Sequence, residues 1–394
     1  MIPDYYEFCN PVKIVSGSKA IEHIGYELEA LGAKRPMVLT NTQLLELKVA
    51  TIVLDALADT TAEPVGVYEE IPVDSSVEVV NDIARLYRET EADSIIAIGG
   101  GSVIDTAKGA TIVLTHGAED LMDYRGAESL MGRRTVPFIV IPTTAGTGSE
   151  VTSAAVIKDT ERHVKMGFTS LSLLPDVAIL DPRMTVGLPG RLTASTAMDA
   201  LTHAVEAFSC VQANPLSDCY ARAAIDLIRD DLPKVIATPG DLTARLSLAN
   251  AALMAGAAFS NAMVGIVHAM GHAVGGVAGV PHGDAMAILL PHGMTYNLEV
   301  ACNRYGELLM NLAGAETYAT TPAAERGAAA IAAVRAMMAS LHENAGLPLT
   351  LGEAGVTREQ VPDIARAALN DGAMSMNPKQ PTYDELVAIL EGAL

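Results

Sequence analysis

A short apolar segment that ends in three glycines constrains the fold of this chain more than any other stretch. Residues 94–98 (Ser-Ile-Ile-Ala-Ile) form a bounded apolar run, which is typical of a strand buried on both faces of a parallel sheet. The glycines at positions 99–101 follow directly, and residues 103–114 then have the composition of a helix. A second run of this kind covers residues 138–141. Strands that alternate with helices predict a parallel α/β sheet.

The composition changes near residue 188. Before this point strand-like and helix-like segments alternate, whereas after it the chain consists of long Ala- and Leu-rich segments with few strand signals. With 394 residues, of which 50% are hydrophobic, the chain is longer than a single core usually supports. We therefore predict an α/β domain (a parallel sheet flanked by helices) over residues 1–187 and an all-helical domain over residues 188–394.

Charge and cysteine content limit the partners and the compartment. The formal net charge of −21 argues against nucleic acid and against an anionic membrane, because neither attracts an acidic surface. We expect no membrane span, since no apolar run of spanning length is free of polar residues, and no signal peptide. Four scattered cysteines without a CxxC pair fit buried thiols in a reducing cytoplasm.

The glycine turn has two interpretations. Gly99, Gly100, Gly101 and Ser102 end a strand and open a helix. There a glycine backbone can approach a ligand closely, and free N–H groups at the positive end of the helix dipole attract a phosphate. Asp105, on the first helical turns, could accept hydrogen bonds from a ligand. The turn lacks the GxGxxG spacing of dinucleotide-binding folds, so a simple tight turn is the alternative.

A second polar turn follows the next strong strand. It contains Thr143, Thr144, Thr147 and Ser149 among glycines. Small hydroxyl side chains at the carboxyl end of a sheet strand lie where open α/β sheets bind ligands. Two such turns on neighbouring strands favour a nucleotide site, and a loop capped by serine and threonine is the alternative.

Acidic and imidazole side chains recur at helical spacing in the second half of the chain. Asp199 and His203 lie four residues apart, as do His268 and His272, and His282 follows in a predicted loop. Residues four apart share a face of a helix, so each pair can aim two groups at one point. A single histidine in an apolar helix is usually a satisfied core residue, but five of the nine histidines fall between positions 203 and 292. Because burying that many rings without partners is costly, we predict a divalent metal site.

Together these motifs resemble one known family. They comprise the glycine turn with Asp105 and Lys108, residues 142–152, residues 198–206 (Met-Asp-Ala-Leu-Thr-His-Ala-Val-Glu), and His268 and His272 with residues 281–283 (Pro-His-Gly). In this order they are similar to the iron-containing (group III) alcohol dehydrogenases, from near the N-terminus to the last helices. The resemblance implies the architecture shared with dehydroquinate synthase: an N-terminal nucleotide-binding domain, an all-helical C-terminal domain, and an active site in the cleft between them.

The resemblance also implies roles for individual residues. His272 falls on the position of a non-ligand histidine near the nicotinamide and the substrate, proposed to relay a proton, and Phe259 on that of an aromatic wall of the substrate pocket. The implied metal ligands are Asp199, His203, His268 and His282. The implied cofactor-binding residues are Asn41, Gly99, Gly100, Gly101, Ser102, Asp105, Thr143, Thr144, Thr147, Ser149 and Lys165.

Two cofactors follow from the resemblance, a nicotinamide nucleotide and a metal ion. Where this chain has Asn41, family members that prefer NAD usually carry Asp, whose charge holds the ribose hydroxyls and repels a 2′-phosphate. NAD is therefore favoured only slightly over NADP. Among the metals that nitrogen and oxygen ligands suit, Fe(II) is expected from the family and Zn(II) is the alternative.

The expected reaction is hydride transfer between nicotinamide C4 and the reacting carbon of an alcohol or aldehyde, with the metal as Lewis acid. No Lys or Arg lies between Arg245 and Arg304, an interval that carries four of the histidines. A phosphate or carboxylate substrate would require a cationic side chain nearby. Unless the N-terminal domain supplies one, the substrate is a small neutral primary alcohol, a diol or an aldehyde.

Other functions remain open from the sequence. A lyase of the dehydroquinate synthase type, which uses NAD and zinc, and a maleylacetate reductase, which needs no metal, both require cationic residues for anionic substrates. A non-catalytic metal-binding protein would have no affinity for a nicotinamide cofactor. Because family members form dimers or larger assemblies, we expect a homodimer or a larger homo-oligomer.

Overall fold

The structure, a computed structural model, describes residues 3–125, 130, 132, 134–162 and 164–394. These residues fall into two compact units. The first comprises residues 10–187, and the second comprises residues 188–394 together with the N-terminal segment that precedes residue 10.

A parallel sheet of six strands forms the centre of the first unit. Its strands are β1 (Lys13–Ser16), β2 (Pro36–Leu39), β3 (Gly66–Tyr68), β4 (Ser94–Gly99), β5 (Phe138–Pro142) and β8 (Val177–Leu180). They are arranged in the order β1-β8-β5-β4-β2-β3. Strands β2, β4, β5 and β8 are buried along their whole length, as is usual in a sheet that is covered on both faces. A separate antiparallel hairpin joins β6 (Ala154–Asp159) to β7 (Val164–Thr169).

Helices cover both faces of this sheet. They are α1 (Ile24–Ala30), α2 (Thr42–Glu46), α3 (Val49–Ala58), α4 (Val77–Glu89) and α5 (Gly101–His116). Successive residues of a strand point to opposite faces. Val38 and Ile96 therefore pack in the core with α1 and α3, whereas Met37 and Ile95 pack with α4 and α5. The predicted parallel sheet flanked by helices is confirmed.

In the described part of the second unit every regular element is a helix, as predicted. The helices are α6 (Gly190–Ser209), α7 (Pro215–Ala237), α8 (Leu242–Ala262), α9 (Ile266–Ala278), α10 (His282–Thr320), α11 (Arg326–Ala345), α12 (Val361–Leu369) and α13 (Tyr383–Gly392). Helix α10 is interrupted at Gly314, whose φ of 84° is compatible with glycine and not with continuous helix.

Helix α8 is long and apolar enough to cross a membrane by length and composition, alone among the described helices. Its small side chains, including Ala251, Ala255 and Ala258, are buried. They pack against α6 and α7 within the second unit. Burial in the protein core therefore accounts for the apolar composition of α8.

The N-terminal segment, residues 3–9, packs with the helical unit, whereas the sequence analysis places it in the α/β domain. The ring of Phe8 stacks on Tyr220 with centroids 5.6 Å apart. The backbone N–H of Cys9 donates to Asn261 Oδ1 at 2.7 Å, and Asn261 Nδ2 donates back to the Cys9 carbonyl at 3.2 Å. These contacts lie more than 200 positions apart along the chain, so no local pattern signals them.

Candidate functional site

Helix α6 supplies the first two members of the predicted metal site. Asp199 and His203 lie one helical turn apart and are both buried. His203 Nε2 is 3.8 Å from Asp199 Oδ1. The spacing seen in the sequence therefore places both groups on one face of one helix.

Two further helices bring imidazoles to the same carboxylate oxygen. His268 Nε2, from α9, is 3.9 Å from Asp199 Oδ1, and His282 Nε2, at the start of α10, is 3.3 Å from it. The donor atoms of Asp199, His268 and His282 all lie within 4.8 Å of one another. Ligands that bind one cation at about 2.0–2.2 Å are separated by roughly 3–4 Å in tetrahedral geometry, so these spacings fit a metal ion.

Two of the atoms that face each other in this cluster are buried and unpaired. Within the described residues, Asp199 Oδ1 and His268 Nε2 have no hydrogen-bond partner. Leaving such atoms unpaired costs free energy, which a bound cation would recover. His203 Nδ1 is unpaired as well, although the nitrogen of that ring that lies 3.8 Å from Asp199 Oδ1 is Nε2. Burial lowers the pKa of His203 to about 3, which keeps that ring neutral and able to bind a metal.

Glu206 is a site residue to which the sequence analysis assigned no role. Its carboxylate lies 2.6 Å from Nδ1 of His268 and accepts from the backbone N–H groups of Val267 at 2.7 Å and His268 at 3.2 Å. Because the carboxylate accepts the Nδ1 proton, Nε2 of His268 is left as a lone pair that faces Asp199. Burial raises the pKa of Glu206 to about 7. The sequence does carry one indication of a role for Glu206: it follows Asp199 by seven residues, which is two helical turns along the same face.

The start of α9 is closed by a second buried side chain. Asn377 Oδ1 accepts from the backbone N–H of Ile266 at 3.2 Å, next to the two N–H groups that Glu206 binds. Gly265 precedes the helix, and a Cβ there would lie 2.8 Å from Asn377 Oδ1 and 3.2 Å from Glu206 Oε1. Only glycine leaves room for both side chains to reach the free N–H groups of this helix.

The packing of α10 against α6 explains why a glycine, Gly283, follows His282 in the sequence. A Cβ at this position would lie 2.5 Å from the backbone oxygen of Ser195 on α6. The backbone of α10 therefore approaches that of α6 closely at the residue next to His282. This approach brings His282 within reach of Asp199.

The rings of His272 and Phe259 both lie against imidazoles of this cluster, His272 beside His268 and His282 and Phe259 on His203. His272 follows His268 by one turn of α9, and its ring centroid is 5.8 Å from that of His268 and 5.5 Å from that of His282. Its Nδ1 is 2.9 Å from Oδ2 of Asp371, a residue absent from the sequence analysis. The ring of Phe259, on α8, stacks on His203 at 4.2 Å.

Arg191, which lies outside the interval 246–303 that has no Lys or Arg, brings a cationic side chain to this part of the second unit. Arg191 Nη2 lies 2.8 Å from Oδ2 of the buried Asp284, two residues after His282. Asp284 thus balances the charge of Arg191. The guanidinium of Arg245 is also engaged, since it donates to Thr193 Oγ1 at 2.8 Å and to two backbone carbonyls.

In the first unit the two polar turns lie side by side, because β4 and β5 are neighbours. A Cβ on Gly100 would lie 3.2 Å from the side chain of Thr144, and one on Gly101 would lie 3.0 Å from that of Thr147. Gly100 is also the N-cap of α5 and provides no side-chain cap for its free N–H groups. The residues that the structure brings together here are Gly99, Gly100, Gly101, Thr143, Thr144 and Thr147.

Asp105 and Ser149 are bonded to each other and to the protein. Ser149 Oγ donates to Asp105 Oδ1 at 2.7 Å, and the backbone N–H of Val156 donates to Asp105 Oδ2 at 2.9 Å. The buried ammonium of Lys108 lies 3.1 Å from Ser149 Oγ and 2.8 Å from the carbonyl of Thr152. This network connects α5 to the second polar turn and so holds the two turns in place.

The remaining predicted cofactor residues also have partners. Asn41 is the N-cap of α2 and accepts from Leu44 N at 2.9 Å. Lys165 forms an ion pair with Asp74 at 2.8 Å, and Ser102 Oγ donates to the carbonyl of Val73. Beside Asn41, Thr40 Oγ1 is buried without a hydrogen-bond partner among the described residues, a feature that the sequence analysis missed.

A cluster of carboxylate and imidazole donors, in one chain with a parallel sheet whose polar turns suit a phosphate, fits the class of metal- and nucleotide-dependent enzymes. Residues 11–182 match the family model described as iron-containing alcohol dehydrogenase. Residues 193–394 match the model of the Fe-containing alcohol dehydrogenase family, C-terminal. The chain therefore belongs to the iron-containing alcohol dehydrogenase family, as the motifs predicted, and is a metal-dependent oxidoreductase that acts on alcohols.

Individual relatives agree over nearly the full length. The NAD-dependent methanol dehydrogenase of Bacillus methanolicus is 36% identical over 395 residues, covering 98% of this chain and 99% of the relative. The 1,3-propanediol dehydrogenase of Klebsiella pneumoniae is 38% identical over 96% of both chains. The solved structure of a 1,3-propanediol oxidoreductase superposes with a TM-score of 0.93 at 35% identity, covering 99% of this chain and 100% of that one. The alternative of a lyase is accordingly not favoured.

Proposed function

We propose that the chain is an NAD-linked, Fe(II)-dependent dehydrogenase of small neutral primary alcohols and diols. The observation that carries the proposal is the position of three imidazole Nε2 atoms at 3.3–3.9 Å from Asp199 Oδ1. The proposed metal ligands are accordingly Asp199, His203, His268 and His282. When bound there, a divalent cation supplies a Lewis acid for the substrate oxygen.

The proposed nucleotide site lies in residues 1–187, and residues 188–394 hold the metal ligands and His272. The free N–H groups at the start of α5 and the hydroxyls of Thr143, Thr144 and Thr147 suit a pyrophosphate. The nicotinamide supplies the hydride acceptor for alcohol oxidation. Asp105, Ser149 and Lys165 support this site through the bonds they make within the protein.

NAD is favoured over NADP as the cofactor. Support comes from the relative that is named an NAD-dependent methanol dehydrogenase. The side chain of Asn41 is a neutral amide that caps α2, so it provides no positive charge to bind a 2′-phosphate. The neutral amide also does not repel a 2′-phosphate as a carboxylate would. We therefore expect the enzyme to use NADP as well, although more slowly than NAD.

His272 is proposed to accept the substrate's hydroxyl proton and to pass it to solvent. Its side chain is 44% exposed, and its ring lies next to two of the proposed ligands. Nδ1 is occupied by Asp371, so the proton would be taken up at Nε2. Phe259, stacked on His203, offers an apolar surface for the carbon chain of the substrate.

The neutral substrate is supported by the charges around the ligands. Arg191 forms an ion pair with Asp284, which follows His282 by two residues. The charge of this arginine is thus balanced and is not available for a substrate carboxylate or phosphate. Relatives of comparable similarity are named for methanol and 1,3-propanediol. Short alcohols and diols are therefore the proposed substrates, with the matching aldehydes in the reverse direction.

Iron is proposed over zinc on the strength of family membership. One carboxylate and three imidazoles suit both Fe(II) and Zn(II), so the donor set alone does not separate them. The protein is further proposed to act in the cytoplasm as a homodimer or a larger homo-oligomer. The four cysteines are free thiols, which suits a reducing compartment.

The test is a comparison of matched substrates with defined metal content. Metal-free protein is loaded anaerobically with Fe(II) or Zn(II) and assayed with NAD and NADP on ethanol, 1,3-propanediol and 3-hydroxypropanoate. We expect activity only with metal, fastest with Fe(II) and NAD, and at least tenfold higher kcat/KM for the diol than for the hydroxy acid. Asp199→Ala should lose metal and activity together, and Cys219→Ser, at an exposed thiol, should lose neither. Equal activity without metal, or faster turnover of the hydroxy acid, would refute the proposal.

A further inference from the structure

We propose that Asp371 is a positioning residue that holds the imidazole of His272 and determines which of its nitrogens carries the proton. This inference rests on the proposed role of His272 in the dehydrogenase reaction. His272 Nδ1 and Asp371 Oδ2 are 2.9 Å apart although 99 positions separate the two residues in the chain. The contact joins α9 to the turn that follows α12.

The carboxylate of Asp371 is itself fixed. Its Oδ1 accepts from the backbone N–H of Ala373 at 2.8 Å, and its own N–H donates to the Ala368 carbonyl at 3.2 Å. Asp371 is thus the N-cap of a short helical turn, Gly372–Met376, and its side chain is only 23% exposed. A contact between two freely exposed side chains would be weak and mobile, whereas here the carboxylate of Asp371 is held independently through Oδ1.

The chemistry of the two groups decides the position of the proton. A carboxylate accepts hydrogen bonds and does not donate them, so the proton in this contact belongs to Nδ1 of His272. The neutral ring then presents Nε2 as a lone pair. The ring is also oriented, because it lies nearly parallel to that of His282, at an interplanar angle of 17°.

This arrangement gives Asp371 a defined part in alcohol oxidation. As the substrate O–H bond breaks, its proton would go to Nε2 of His272. A nicotinamide, when bound, would supply the acceptor for the hydride that carries away the C–H electron pair. The ring is then an imidazolium with protons on both nitrogens. The Asp371 carboxylate stabilises this charge through Nδ1–H, as a buried carboxylate does for the histidine of a serine-protease triad. Aldehyde reduction returns the same proton from Nε2.

A purely structural role for Asp371, capping the turn that follows α12, makes a different prediction. Asparagine is as good an N-cap as aspartate, so Asp371→Asn would preserve the bond from Ala373 and the fold. It would not preserve the proton position, because the amide can donate to Nδ1 and move the ring proton to Nε2. The two roles are therefore separated by one conservative variant.

The experiment compares Asp371→Asn, Asp371→Ala and His272→Ala in the metal-loaded full chain. The matched control is Asp363→Asn, at an exposed carboxylate of α12 that pairs with Arg366. We expect Asp371→Asn to lower kcat at least tenfold with the KM for NAD within twofold and the Tm within a few degrees of wild type. Adding Asp371→Asn to His272→Ala should cause no further loss, since the two residues act as a unit.

A second measurement is independent of turnover. Metal-free protein is treated with diethylpyrocarbonate, which acylates an unprotonated imidazole nitrogen, and the modification of His272 is followed by mass spectrometry. We expect several-fold slower modification in Asp371→Asn and no change in Asp363→Asn. Wild-type kcat and wild-type labelling in Asp371→Asn would overturn the inference. If the loaded wild-type enzyme oxidises no alcohol, the proposed function fails, while the labelling still reports whether Asp371 holds His272.

Discussion

The carboxylate of Glu206 lies 2.6 Å from Nδ1 of His268 and thereby determines which nitrogen of that ring faces Asp199. The same carboxylate accepts two backbone N–H groups at the start of α9. One buried side chain thus both closes the end of a helix and orients a proposed metal ligand on it. Metal-bound histidines usually have such a partner on their second nitrogen.

Replacement of Glu206 by glutamine should weaken metal binding. The amide nitrogen of Gln cannot accept from Val267, from the backbone of His268 or from its ring, so at least one donor is left unpaired. We expect a 10–100-fold loss of Fe(II) or Zn(II) affinity, measured by competition with a chelator and by the metal content of the protein. Glu316→Gln, at an exposed position of α10, is the control and should bind metal as wild type does. Undiminished affinity in Glu206→Gln would mean that the contact does not orient His268.

Gly283→Ala should destabilise the helical unit and reduce metal binding. The new Cβ would meet the backbone oxygen of Ser195 at 2.5 Å, and backbone atoms cannot move aside as a flexible side chain can. We expect the free energy of unfolding, measured by urea denaturation, to fall by about 2–4 kcal/mol. Gly276→Ala is the matched control, because no atom lies within 4 Å of a Cβ at that helical position. It should raise stability by up to about 1 kcal/mol, and equal effects of the two substitutions would contradict this explanation of the close approach.

The stability of the α/β unit should depend on pH through Glu150. Burial raises the pKa of this carboxyl from 4.5 to about 7, so between these values the folded state keeps a proton that the unfolded state has released. Stability therefore falls as pH rises from about 4.5 to 7 and is constant above. In Glu150→Gln this loss is absent. The variant should gain about 2–3 kcal/mol relative to wild type between pH 5 and pH 7.5.

The measurement is urea denaturation of the metal-free protein at several pH values in that window. Burial lowers the pKa of Lys108 to about 8 and makes stability rise above that pH, so measurements stop at pH 7.5. Glu119→Gln, at a carboxyl that is 94% exposed, serves as the control and should follow the wild-type pH dependence. A constant difference between wild type and Glu150→Gln at all pH values would show that Glu150 is ionised throughout.

Gly101→Ala should weaken nucleotide binding. Its Cβ would lie 3.0 Å from the methyl group of Thr147, so that side chain must give way slightly, and it adds bulk at the start of α5 where the phosphate is proposed to bind. We expect about a tenfold loss of NADH affinity in a fluorescence titration. Gly66→Ala in β3, where a Cβ meets no atom within 4 Å, is the control. An unchanged affinity in Gly101→Ala would place the phosphate elsewhere.

Much of the fold could be predicted because local sequence patterns carry it. The apolar run of residues 94–98 and the helical composition of residues 103–114 predict a buried parallel strand followed by a helix, and the structure has both, in β4 and α5. The order of the strands could not be predicted. Strand β8, the last strand along the chain, lies between β1 and β5. Its place depends on which strand edges and helices pack together across the whole unit, and a local pattern does not contain that information.

The proposed metal site divides in the same way. Helical spacing alone predicts that Asp199 and His203, and likewise His268 and His272, share a helix face, because a helix brings residues four apart together wherever it packs. The meeting of these faces depends on the packing of the whole helical unit. So do the contacts of Glu206, Asp371 and Asn377, each with a partner 62 to 111 positions away. Those contacts depend on the packing of separate helices, which the spacing of residues along any one helix does not specify.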